Sequence, residues 1–168
     1  MDKEILFSET QKFRQWWLWI LLIGSNVFTF YGVYKQIVTR HAFGEKPASN
    51  TELLISSGIT MLLTILFLII QLDTQIRKDG VYVRFFLLHL KFRHYLWTQL
   101  SKCYVKKYSP MGEFGGWGLR IGFSGKAYNI SGNQGLQLEF TNNKRLLIGT
   151  RKPNELSEAL INVGQLNP

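Results

Sequence analysis

Two long apolar runs open the chain, and short alternating runs follow them. No Asp, Glu, Lys or Arg stands between Arg14 and Lys35, and none between Glu52 and Asp73; each uncharged stretch is 20 residues long. A helix rises about 1.5 Å per residue, so about 20 residues cross a hydrocarbon core ~30 Å thick. The second stretch, LLISSGITMLLTILFLIIQL, holds thirteen Leu, Ile or Phe. At about −0.3 to −0.6 kcal/mol each, these contribute roughly −4 to −8 kcal/mol to insertion, which its Ser, Thr and Gln do not reverse. The first stretch, QWWLWILLIGSNVFTFYGVY, is less apolar and carries Asn26 near its centre. Its Trp16, Trp17 and Trp19 at one end and Tyr31 and Tyr34 at the other match the aromatic belts of two membrane interfaces. A cleaved secretory leader is the rival reading. Glu4 and Glu9 interrupt the basic region such a leader needs, and no small-x-small cleavage site follows promptly. The pattern predicts transmembrane helices near 15–34 and 53–72, a membrane anchor within residues 1–76.

Small and hydroxylated residues recur inside both runs at helical spacing. Ser25 and Thr29, with Gly24 and Gly32 on a neighbouring track, mark one face of the first; Ser56, Thr60 and Thr64 mark the second. Such faces let two backbones approach and exchange hydrogen bonds. They either close the hairpin on itself or form an oligomer contact.

After Asp73 the pattern shortens. VYVRFFLL, LKFRHYLW, LSKCYVKKYS, WGLRIGF, AYNI, LQLEF and RLLIGT are rich in β-branched and aromatic residues and are separated by turn chemistry such as KDG and TNNK. In LQLEF, Leu136, Leu138 and Phe140 face one way and Gln137 and Glu139 the other, a strand with one wet face. One helix closes the chain. Pro153 suits its first position, Glu155 suits its positive end, and Leu156, Ala159, Leu160 and Val163 form a single apolar stripe before a stop at Gly164. Residues 77–168 thus read as a small antiparallel barrel with a packed helix.

Residues 112–135 carry eight of the fifteen glycines, beside Arg120 and Lys126. A phosphate loop needs Gly-x-x-x-x-Gly-Lys-Ser/Thr leading into a helix. Here Ala127 follows Gly125-Lys126, and Arg120 stands where the first glycine belongs. A dinucleotide fingerprint is also missing. FSGKA and SGNQG sit between strand runs and read as turns, and Gly122 reads as a bulge or barrel bend. SPMGEFGGWG, residues 109–118, is longer than a strand connection needs, and stays open as a binding loop or a disordered tip. Glu113 and Trp117 within it, with Arg120 and Lys126 beyond it, are the candidate ligand- or partner-binding residues.

Charge sharpens the picture. Residues 1–76 balance to zero, whereas residues 77–168 carry fourteen Lys and Arg against five acids, the whole +9. Lys3, Lys12 and Arg14 before the first run and Arg77, Lys78, Arg84, Lys91 and Arg93 after the second outnumber Lys35, Arg40 and Lys46 between them, which predicts both termini in the cytoplasm. The short connection over residues 72–81 holds the basic part at the bilayer. Arg77, Lys78, Arg84, Lys91 and Arg93 are therefore candidate contacts to anionic headgroups, each contributing about 1 kcal/mol and screened beyond ~8 Å. A merely solvated basic surface is the alternative. Dispersed cations and the tether argue against nucleic acid.

No catalytic or metal constellation emerges. Cys103 is the single cysteine, and an inert core thiol. His41 lies in the loop between the runs; His89 and His94 on one strand would point to opposite faces with no third ligand. The acids of the basic part, Asp79, Glu113, Glu139, Glu155 and Glu158, form no acid–base pair, and no Gly-x-Ser-x-Gly elbow is present. The chain is read as non-enzymatic and without cofactor.

The blocks FSETQKFRQWWLW, GGWGLR…GKAYNISGNQGLQLEF and LLIGTRKPNEL, in that order around two apolar runs, resemble the bacterial pleckstrin-homology-like membrane proteins. The resemblance rests on layout and implies an α+β membrane protein: a transmembrane helical hairpin, then a seven-stranded PH-like antiparallel β-barrel capped by a C-terminal helix. It implies no activity. The expected function is to present a basic domain at the cytoplasmic face of the inner membrane to a protein or anionic lipid. The alternative is a structural subunit of a larger assembly, held through its transmembrane helices, in which a homo-oligomer is one option.

Overall fold

The computed structural model describes residues 4–122 and 125–165. Residues 14–69 form one compact unit, and the chain on either side of them forms the other. The first unit is a helical hairpin. Helix α1, Trp16–Val33, runs on as a π-helical turn, Tyr34–Val38, and α2 is Asn50–Ile69. The spans Trp16–Val38 and Asn50–Ile69 are long and apolar enough to cross a membrane. Helix α2 begins before Glu52 rather than after it. The Glu52 N–H donates to Ser49 Oγ at 3.2 Å and the Ser49 N–H to Glu52 Oε2 at 2.8 Å, a reciprocal cap that spends the charge at the helix start. It ends at Ile69 because the next residues enter a strand.

Among the described residues the second unit has nine strands: β1 Ile5–Lys12, β2 Gln71–Arg77, β3 Gly80–Phe86, β4 Arg93–Leu96, β5 Leu100–Lys107, β6 Gly118–Gly122, β7 Gly125–Asn129, β8 Gln134–Phe140 and β9 Arg145–Thr150. They lie in a four-stranded sheet of order β1-β2-β3-β4 and a five-stranded sheet of order β5-β8-β9-β7-β6. Two further helices are short α3, Pro110–Phe114, and α4, Pro153–Asn162.

This corrects the seven-stranded PH-like antiparallel barrel. Each of the seven sequence runs does supply a strand, yet among the described residues no ladder closes the two sheets into a barrel. The β7–β9 pair is parallel. A single 3₁₀ turn, Trp97–Gln99, carries the chain from one sheet to the other, and Trp97 Nε1–H anchors it on the Lys78 carbonyl at 3.1 Å. The two unforeseen strands, β1 and β2, come from segments assigned to the anchor and the tether. Their buried positions include Glu9 and Gln11 on β1, and on β2 Thr74 on the core face and Asp73 on the opposite one, so apolar alternation does not mark them. The FSGKA turn falls partly on residues 123 and 124, outside the described residues.

Both sheets and α4 share one core. Phe7, Leu72, Ile76, Val83 and Phe85 meet Leu136, Leu138, Leu146 and Ile148, with Leu156, Ala159 and Leu160 of the helix closing it. Alternation then places Leu147 on the opposite face of β9, where it packs with Tyr108, Phe114 and Ala127. Cys103 is 2% exposed within the main core, and burial pushes its thiol up to about 12. It is an inert core thiol, as its solitude predicts.

Buried polar groups tie the first strand to the last. Glu9 accepts Thr150 Oγ1–H at 2.6 Å and the Arg151 N–H at 2.9 Å, and Gln11 Nε2–H donates to the Gly149 carbonyl at 2.7 Å. Asp73 gathers Thr10 Oγ1–H at 2.7 Å and Arg84, through Nε at 3.0 Å and Nη2 at 2.8 Å.

Candidate functional site

A cleft of about 860 Å³ opens where the end of the first sheet meets Ile121 of β6, the start of β7 and the β8–β9 connection of the second. Arg93 and Tyr95 of β4 line it on one side. Lys126 and Tyr128 of β7, Phe140 of β8, and Lys144 and Arg145 at the start of β9 line the rest. Strand alternation accounts for this assembly. On β7, Lys126 and Tyr128 share a face two residues apart, one at the exposed rim and the other 1% exposed at the floor. The tight turn of residues 141–144 brings Lys144 to the rim, where its N–H donates to Asn142 Oδ1 at 3.2 Å.

Aromatic rings and bound hydroxyls make the floor. Arg93 Nη1–H donates to Tyr128 Oη at 3.0 Å, and the Tyr95 and Phe140 rings meet edge to face at 5.3 Å. Burial raises the Tyr128 phenol to about 12, so it stays a neutral donor and acceptor at every ordinary pH. Among the described residues, four cations and no acid line the cleft. Glu139, outside the lining, accepts Tyr104 Oη–H at 3.1 Å and pairs with Arg145 at 3.6 Å, a weak pair at an exposed site. A concave, aromatic-floored surface with one sign of charge concentrates anions, since its field lines are focused by a low-dielectric wall.

The candidate binding residues separate. Lys126 joins the cleft; Glu113, Trp117 and Arg120 do not line it. Ser109 caps α3 by accepting the Gly112 N–H at 3.2 Å, and Glu113 accepts the Ser109 N–H at 2.8 Å and pairs with Lys106 at 3.3 Å. Trp117 Nε1–H donates to the Gly132 carbonyl at 3.3 Å, and Arg120 Nε–H to the Trp117 carbonyl at 3.1 Å. Residues 109–118 therefore contain a short capped helix pinned by Phe114, and its polar groups are spent holding it. Gly115, with φ +67°, supplies the left-handed stop that ends the helix.

The candidate headgroup contacts separate as well. Arg77 sits at the end of β2 that pairs with Gly80, whereas Arg84 sits opposite Asp73 near the other end. Four strand positions, about 14 Å, therefore separate them, well beyond the ~8 Å screening length. Lys78 pairs with Glu4 at 2.6 Å, and Arg77 lies 4.4 Å over the Tyr82 ring. Arg84 covers Phe92 at 4.6 Å, Lys91 is exposed, and Arg93 belongs to the cleft. The two histidines do not share a strand. His94 stacks on Tyr82 at 4.0 Å beside Asp79, and His89 lies in the β3–β4 connection, 5.5 Å from the Tyr128 ring. No group of three or more metal-ligating side chains occurs among the described residues.

In the hairpin the small-residue faces meet each other. Thr29 and Thr60 hydroxyls lie 3.3 Å apart, and Gly32 sits against Phe43 and Leu53. Asn26, absent from the predicted seam, is its centre: Nδ2–H donates to Thr64 Oγ1 at 2.7 Å. Ser25 and Ser56 bond only carbonyls of their own helices, at 2.7 and 2.9 Å. Signals for the cleft were faint in the sequence. Tyr95, Tyr128 and Phe140 read as ordinary strand aromatics, and Lys144 and Arg145 as turn cations, until the sheets bring them together. No protein-family model matches the chain, and no curated protein matches it.

Proposed function

We propose that this chain is a non-enzymatic, membrane-anchored binding module. Its hairpin crosses the inner membrane with both termini in the cytoplasm, and its cleft takes an anionic group of a lipid or protein at the bilayer surface. The observation that carries the reading is the acid-free lining of Arg93, Lys126, Lys144 and Arg145 around an aromatic floor. The anchor is supported by the outward faces of the hairpin. Ile20, Val27, Phe28, Leu54, Ile59 and Leu62 each leave more than half their surface uncovered, which water penalises and hydrocarbon does not. The cationic excess flanking the spans supports the orientation.

The test places a photo-crosslinking side chain at Asn142, on the cleft rim, and irradiates intact membranes. An adduct that disappears in the Lys126→Glu/Lys144→Glu chain supports the reading, and its mass tells lipid from protein. An adduct indifferent to those charges, or none, overturns it. The seam hydroxyls Thr60 and Thr64, which motivated the alternative of a subunit joined through its helices, are bonded within the hairpin, so no separate observation favours that alternative.

A further inference from the structure

The connection between β3 and β4, residues 87–92, carries LLHLKF. Leu87, Leu88 and Leu90 are 40%, 58% and 78% exposed, three large apolar side chains within four positions. Leu87 has φ +84°, a left-handed conformation that bulky residues avoid. The Leu88 and His89 N–H groups donate to the Phe85 carbonyl at 3.1 and 2.8 Å, and the His89 ring lies against Tyr128. The turn is thus fixed from beneath, with its leucines turned outward. Lys91 lies within it and Arg84 and Arg93 on either side, Arg84 being paired with Asp73 at 2.8 Å, and no acid lies within the connection.

Strand register locates this loop. Lys12, Gln71 and Phe86 are partners across β1, β2 and β3, so they share one end of the first sheet. Lys12 is the last residue before the chain leaves for α1, and Gln71 the first after it returns from α2. Phe86 runs directly into the apolar connection. The exposed leucines therefore stand at the end of the sheet from which both helices depart, with cations on either side.

We infer that residues 87–92 are seated in the membrane interface: Leu87, Leu88 and Leu90 enter the headgroup–acyl boundary, and Lys91 lies against anionic headgroups. The partner is the lipid surface itself. Apolar side chains ringed by Lys and Arg are the composition that interfacial insertion requires. This rests on the proposed hairpin crossing, and it adds a third contact that fixes how the basic unit is presented.

The test uses the full chain in vesicles of equal phosphatidylcholine and phosphatidylglycerol, with single spin labels at Leu88→Cys, Leu90→Cys, Asn142→Cys and Leu62→Cys. The buried Cys103 thiol leaves each introduced cysteine as the reactive one. The expected result is oxygen relaxation exceeding that by a water-soluble nickel chelate at 62, 88 and 90, and the reverse at 142. Lipid-like values at 62 with water-like values at 88 and 90 overturn the inference and leave the anchor standing. Immobilised labels at 88 and 90, shielded from both relaxants, overturn it in favour of a protein contact. A water-like value at 62 overturns the anchor, and this inference with it.

Discussion

Removing the Glu9 carboxylate is the sharpest probe of how the basic unit is held together. Glu9 is 6% exposed and receives two donors from the far end of the chain, Thr150 Oγ1–H at 2.6 Å and the Arg151 N–H at 2.9 Å. Hydrogen bonds to a charged group contribute about 1.5–3 kcal/mol each. Two such bonds to one carboxylate are not additive, and the Arg151 amide is part-buried, so water replaces some of what it loses. Thr150 Oγ1 also keeps its role as acceptor of the Lys152 N–H at 3.0 Å. Glu9→Ala should cost about 2–4 kcal/mol, and Glu9→Gln, which retains an acceptor, about half as much. Hydrogen exchange of the full chain in micelles reads this at β9 amides such as Leu147 and Ile148. With about 1.4 kcal/mol per tenfold, their protection should fall roughly thirty- to several-hundred-fold in Glu9→Ala. A Thr150→Val background should shrink the effect, because the cycle shares one bond. A loss of protection below tenfold, or full additivity with Thr150→Val, would refute the view that this carboxylate joins the two sheets.

Asn26→Leu should weaken the hairpin by about 0.6 and at most ~1.7 kcal/mol in bicelles, because Thr64 keeps its own bond to the Thr60 carbonyl and nothing is stranded. Gly32→Val should cost more, roughly 1–3 kcal/mol of overpacking, since its Cβ would lie 2.9 Å from the Phe43 ring; steric trapping of the helix pair checks both. Burial, reinforced by Arg93, holds His89 below the ordinary ~6.5, so the unfolded chain takes up its proton first. Stability should fall as pH drops through about 6.5, level off below the folded value, and lose that dependence in His89→Phe when thermal midpoints are followed from about pH 8 to about pH 5. Leu87→Gly should stabilise the unit by up to ~2 kcal/mol, the relief of about 1–3 kcal/mol at φ +84° less about 0.5–1 kcal/mol of glycine entropy, while the depth of a label at 88 decreases.

Apolar runs made the hairpin legible, and α4 followed from one stripe of Leu156, Ala159 and Leu160. What escaped were elements whose buried residues are polar. Glu9 looked like an impediment to a leader peptide, and is a buried strand residue. Asp73 looked like the end of a span, and organises Arg84 and Thr10. Local pattern carries no information about partners 141 residues away, as for Glu9 and Thr150. The cleft escaped for the same reason, since Arg93, Lys126 and Lys144 converge only through sheet pairing. Glu113 and Trp117 misled in the opposite direction: a glycine-rich stretch with an acid and an indole resembles a free loop, but Glu113 is spent on the cap of α3 and Trp117 on the Gly132 carbonyl.

The β1–β2 pair encloses the hairpin within its connection, and this sets an order of events for a chain made from its amino terminus. Strand β1 leaves the ribosome first and has no ladder partner until Gln71–Arg77 appears, with both helices synthesised in between. Asn26 with Thr64 and Gly32 with Leu53 pair the helices antiparallel, so their packing returns Ile69 to the side on which Trp16 began. Helix pairing would then have already met most of the entropic cost of closing the β1–β2 connection, and the ladder would need only to zip. Glu9 waits longer still, for Thr150. With the hairpin crossing the membrane as proposed, insertion would become a step inside the folding of the sheet, and a defect in the helix seam should surface first as an unpaired, aggregation-prone β1.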